Sequence, residues 1–126
     1  KKREAGLFWF IGLWGVLSFG AFVCQFFIPE PFSEGTTWGF APGWQREIAI
    51  WNLAVDTAIM YVIWKKNVEQ AKLLAGMLAF LSLLLGLNHL QAVVAMQPSF
   101  VHWVGFVENG IGTGQGLFVL KRCDKG

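Results

Sequence analysis

Residues 72–96 constrain this chain more than any other stretch. From Leu73 to Leu87 they read Leu-Leu-Ala-Gly-Met-Leu-Ala-Phe-Leu-Ser-Leu-Leu-Leu-Gly-Leu, and then turn to Asn88-His89-Leu90-Gln91. Crossing the hydrocarbon of a bilayer takes about 20 apolar residues at ~1.5 Å of rise each, and this charge-free run has that length. The three polar side chains at its end then lie where polar groups are costly, and where they usually face a bundle interior or a wet cavity. His89 is therefore the first candidate for a site.

The rest of the chain repeats the pattern. The chain is 55% hydrophobic and only 14% charged, against about 25% charged residues in soluble domains. Further apolar runs at about residues 6–28, 44–64 and 100–120 join the run at 68–96. Together they predict an all-α fold: a single-domain integral membrane four-helix bundle with antiparallel neighbours. Pro29-Glu30-Pro31 ends the first run, since proline removes a donor and restricts the residue before it. Lys65-Lys66 stops the second, Gln97-Pro98-Ser99 makes a tight turn after the third, and Lys121-Arg122 ends the fourth. The basic start Lys1-Lys2-Arg3 could introduce a signal peptide. The run behind it, however, is longer than the roughly 7–15-residue core of such a peptide and lacks a small-x-small cleavage site, so it reads as a retained helix. The long loop, residues 29–46, mixes turn residues (Gly35, Gly39, Pro42, Gly43) with Trp38, Phe40 and Trp44. Tryptophan concentrates where protein meets headgroups, so this loop is expected on the membrane surface or across the bundle mouth.

The charges set the orientation. Lys1, Lys2 and Arg3 form one basic cluster, Lys65, Lys66 and Lys72 a second, and Lys121, Arg122 and Lys125 a third. Four spans put all three on one side, which the positive-inside rule makes the cytoplasm. Both termini are then inside and the aromatic loop outside. Cys24 falls near the outer face and Cys123 inside, so they are not expected to pair. Without a Cys-x-x-Cys, neither thiol–disulfide chemistry nor a zinc motif is indicated. No nucleic-acid-binding feature, phosphate-cradling loop or Ser/His/Asp order stands out.

This topology brings polar residues from three helices to a shared outer layer. Glu47, Asn52 and Asp56 come from the second helix, Asn88, His89 and Gln91 from the third, and His102, Glu108 and Asn109 from the fourth. An outward-opening pocket lined by Glu47, Asn52, His89 and Glu108 is expected, with Asn88, Gln91 and Asn109 around it. Asn52 and Asp56, four apart, share a face, as do Asn88 and Gln91, three apart. His89 lies about 100° to the side of Asn88. Each residue also has a structural reading. Glu47 suits the helix dipole at a first turn, and the Asn and Gln side chains suit interhelical hydrogen bonds. Asp56 can be satisfied inside the bundle or by a partner subunit, and His102 at the rim reads as structural. Glu47, His89 and Glu108 are a minimal set for a metal or for a proton relay, although no Glu-x-x-His or His-x-x-x-His spacing supports the metal.

The fourth helix contains Gly110, Gly112, Gly114 and Gly116. The pairs Gly110/Gly114 and Gly112/Gly116 each have the small-xxx-small spacing that lets helices approach closely. Such a helix is expected to pack on two sides, within the chain and against a second subunit. The order Arg46-Glu47 and Asn52 opening helix two, Asn88-His89 late in helix three, and Asn109 with the glycines in helix four resembles a group of small, poorly characterised four-helix bacterial inner-membrane proteins. More distantly it resembles the DoxX-like membrane proteins. The resemblance covers residues 44–120 and implies a bacterial inner-membrane bundle without implying an activity.

The functional expectation is a membrane subunit, embedded in lipid, of a homo-oligomer or of a complex with other membrane subunits. The alternatives are a proton-coupled small-solute transporter or binding protein, and a membrane enzyme with a metal or quinone near His89. The orientation has a direct check: a reporter active only in the periplasm should stay silent when fused after Lys121, and become active when inserted at Gly35. The reverse result would overturn the four-span topology.

Overall fold

The structure, a computed structural model, describes residues 1–95 and 99–124. Met96 at the predicted end of the third run, Gln97 and Pro98 of the predicted turn, and Lys125 of the last basic cluster lie outside the described residues. The described residues form five helices and no strand: α1 (Lys2–Phe27), α2 (Pro29–Ser33), α3 (Pro42–Lys65), α4 (Val68–Ala95) and α5 (Phe100–Asp124).

The boundaries follow from local chemistry. α1 stops at Phe27 because Pro29 drives Ile28 out of helical geometry, to φ −133°. The prolines predicted to begin a loop instead open the single-turn helix α2, with Pro29 at the position where a missing N–H costs nothing. Ser33 closes that turn by donating its hydroxyl to the Glu30 carbonyl at 2.8 Å. α3 likewise opens on Pro42 and ends at Lys66, which takes up left-handed geometry (φ 52°) while its N–H reaches the Val62 carbonyl. Asn67 caps α4 by accepting the Gln70 N–H at 3.0 Å, and Ser99 caps α5 by accepting the His102 N–H at 3.3 Å.

α1, α3 and α4 are each long and apolar enough to cross a membrane. α5 is equally long, but Glu108, Asn109, Gln115 and its glycines make it the least apolar of the four long helices. The packing of α4 fits lipid rather than water. Its buried face sets the small residues Ala71, Ala75, Ala79, Ser82 and Gly86 beside Leu74 and Leu78. Leu73, Met77, Phe80, Leu84 and Leu87 point outward. In water the large apolar side chains would be buried. In a bilayer they lose nothing by facing out, and small residues let helix backbones approach.

α1 packs against α3, α4 and α5, and α4 pairs antiparallel with α5. The aliphatic core lies toward the chain termini, where Leu7, Phe10 and Ile11 of α1 meet Ile59 and Val62 of α3 and Leu74, Ala75 and Leu78 of α4. At that end Lys72 of α4 also pairs with Asp124 of α5 at 3.7 Å. The opposite end holds the loop, α2 and the two histidines. Cys24 and Cys123 are both free.

The α4–α5 seam is a ladder of small residues. A Cβ placed on Gly116 would come within 2.6 Å of the Ala79 Cβ and 2.9 Å of the Phe10 ring. On Gly112 it would meet the Ser82 hydroxyl at 3.0 Å, and Gly86 sits against the Asn109 Cβ. Substituting Gly116 by Val should therefore cost about 1–3 kcal/mol of stability through overpacking. Gly20→Ala, where a Cβ meets nothing within 4 Å, should gain roughly 0.5–1 kcal/mol from helix propensity. Thermal unfolding in detergent should move in opposite directions for the two variants.

Candidate functional site

The strongest polar constellation joins α4, α5 and the loop. His102, in the first turn of α5, is fully buried (0% exposed), and its Nδ1 lies 3.2 Å from the Nδ1 of His89 on α4. His102 Nε2 accepts the backbone N–H of Thr37 at 3.0 Å, and the Thr37 hydroxyl lies 2.8 Å from the same nitrogen. A backbone amide can only donate, so His102 Nε2 is unprotonated. A neutral imidazole then carries its proton on Nδ1. That proton points at His89 Nδ1, which must accept it, and His89 in turn holds its proton on Nε2. One backbone N–H of the loop thereby fixes the tautomers of both rings.

Trp38 closes the site. Its indole lies over both imidazoles, with ring centroids 4.5 Å from His102 and 5.0 Å from His89. Two glycines make this possible. A Cβ on Gly105 would come within 2.5 Å of the His89 ring, so only glycine leaves room for that imidazole. Gly39, at φ +77°, turns the chain just after Trp38 in a conformation that glycine adopts without strain. The loop predicted to lie on the surface or cap the bundle mouth thus packs across the α4–α5 end.

The other expected site residues go elsewhere. Asn52 donates its amide to Gln25 Oε1 at 3.3 Å, joining α3 to α1. Asn109 donates to the Gly105 carbonyl at 2.8 Å within α5 and packs against Gly86. Asp56 is buried on α3 and faces the buried Ser18 hydroxyl of α1. Glu47, Asn88 and Gln91 are exposed. Glu108 lines an apolar groove between α1 and α5. Gly112 and Gly116 face the chain's own helices, whereas Gly110 and Gly114 have nothing within 4 Å of a built Cβ.

Glu47, His89 and Glu108, the candidate metal set, are not brought together. Among the described residues no three His, Cys, Asp or Glu side chains converge as metal ligands would. Of the expected lining, His89 alone belongs to the constellation, and its partners are His102, Thr37 and Trp38. The missed signal was positional. The chain has two histidines, 13 residues apart, on either side of the predicted turn between two antiparallel helices.

No protein-family model matches the chain, and neither a curated protein nor a solved structure matches it.

Replacing His102 by Ala should remove the acceptor of the Thr37 N–H and a ring in contact with Trp38, costing about 1–3 kcal/mol locally. Amide exchange in a peptide covering residues 34–40 should accelerate at least several-fold, with exchange in residues 71–82 unchanged. Equal loop exchange in both proteins would show that the imidazole does not hold the loop.

Proposed function

We propose that this protein is an integral membrane subunit that crosses the bilayer four times with both termini in the cytoplasm. It assembles with copies of itself through the outward face of α5 and carries the loop-capped histidine pair as an outward-facing site. The bacterial inner membrane is the location implied by the sequence resemblance.

The observation that carries this reading is the two-sided use of glycine on α5. Gly112 and Gly116 are filled from within by Ser82, Ala79 and Phe10, while Gly110 and Gly114 leave an open, four-residue-spaced notch. A notch of this kind suits close backbone approach by a second helix. The low apolarity of α5 points the same way. Of the four long helices it is the one whose composition is least suited to lipid on every free side, so protein cover along its outer face offsets the cost. The wide apolar surface of α1, α3 and α4, including Trp9, Val16, Met60 and Leu73, suits contact with lipid tails.

The test is the mass of the particle in a mild detergent or a lipid nanodisc. The wild type should run as a homo-oligomer. Gly110→Leu with Gly114→Leu should shift it toward monomer by about one to two decades in dissociation constant, the equivalent of roughly 1–3 kcal/mol of overpacking. Gly20→Leu, on an open face of α1, should leave the oligomer intact. A wild-type monomer in lipid, or a double variant that assembles normally, would refute the reading.

A further inference from the structure

The groove between α1 and α5 shares no lining residue with the histidine pair and opens beside the proposed oligomer face. Gly110 and Gly114 lie within about 20° of Trp103 and Val107, respectively, around the helix, so the notch borders one wall of the groove, and Glu108 lies on the groove's far side from it. The groove encloses about 510 Å³, within the range of roughly 300–1,000 Å³ typical of small-molecule sites. Its walls are aromatic and aliphatic. Phe10, Trp14, Phe100 and Trp103 supply the rings, and Glu108 is the single charged group lining it.

Two of these walls are fixed before any ligand arrives. Trp14 donates its indole N–H to the Ser82 hydroxyl at 2.9 Å, which pins the ring across the α1–α4 contact. Phe10 is buried and packed over Gly116. Glu108, by contrast, forms no ion pair among the described residues. On the four-span reading proposed above, on which this inference rests, Glu108 lies in the hydrocarbon layer, where a carboxylate facing an apolar groove is costly unless it meets a positive charge.

We propose that this groove binds a lipophilic organic cation: a molecule with aromatic or aliphatic bulk and one permanent, dispersed positive charge, entering sideways from the lipid. Glu108 supplies the counter-charge. The rings of Trp14, Trp103 and Phe10 supply apolar contact and the negative ring faces that attract a soft cation. An acyl chain would leave the carboxylate unpaired. A small hard metal ion would want about six oxygen ligands, and besides Glu108 the groove lining offers one side-chain oxygen, that of Gln115.

The probe is tetraphenylphosphonium, added to the purified full chain in detergent and followed by tryptophan fluorescence and calorimetry. Saturable binding is expected. Glu108→Gln should weaken it at least tenfold and Glu108→Asp should retain most of it. Ile111→Trp, which fills the groove and leaves the carboxylate in place, should abolish it. Circular dichroism and particle mass confirm that each variant is folded. Tetraphenylborate, of the same shape and opposite charge, should not compete. The proposal is overturned if the phosphonium does not bind, if Glu108→Gln binds it as tightly as the wild type, or if the borate or a neutral short-chain quinone binds equally well. The last two outcomes would mark the groove as a general lipid slot.

Discussion

The close antiparallel approach of α4 and α5 is the constraint on which the rest of the structure depends. Ala79 opposes Gly116, Ser82 opposes Gly112, Gly86 opposes Asn109, and His89 opposes Gly105. Each rung sets a small residue against its partner, so the two backbones run close along most of their length. In lipid, helix association gains little from burying apolar surface, because the tails outside are as apolar as the interior. Contact comes instead from dispersion and from a few polar bonds, and both require proximity. One rung also organises the neighbouring helix, since Ser82 holds the Trp14 indole of α1. A bulky residue on this seam would push on the α4–α5 pair and, through Phe10 and Trp14, on α1 as well.

The same seam produces the histidine pair. At the rung where Gly105 leaves a hollow, the His89 ring folds into it and meets His102. A neutral imidazole pair needs one donor and one acceptor at the shared contact, and the Thr37 amide decides which ring is which. The loop is therefore more than a connection between α1 and α3. It supplies the hydrogen bond that orders the pair and the indole that covers it. The polar residues expected to line one pocket are divided among separate contacts. Asn52–Gln25 ties α3 to α1, Asn109 bonds within α5, and Asp56 sits buried against α1.

Much of the fold was legible along the chain, and the site far less so. The prolines after Ile28 and the Lys65-Lys66 pair act through local geometry, and the helix ends fall close to where they point. The short helix α2 was hidden because proline reads equally as a helix stop and as a helix start. Glu47 and Gln91 share a membrane depth with His89 in the sequence reading, yet in the structure both are exposed. Depth fixes one coordinate of a side chain. The second, its angle around the helix, depends on neighbours that a linear pattern does not name.

By itself the sequence determined that the chain is helical and greasy, where its apolar runs begin and end, and which loop is aromatic. These properties follow from backbone chemistry and from length alone. Tertiary structure alone decided which face of each helix is buried and which polar groups meet. The physical reason is the solvent: where outside and inside are equally apolar, hydrophobic periodicity fades, and small residues mark the places where helix backbones come closest. Leu73 and Met77 point out while Ala75 and Ala79 point in. The meeting of His102 with His89 followed from the register of two closely packed backbones.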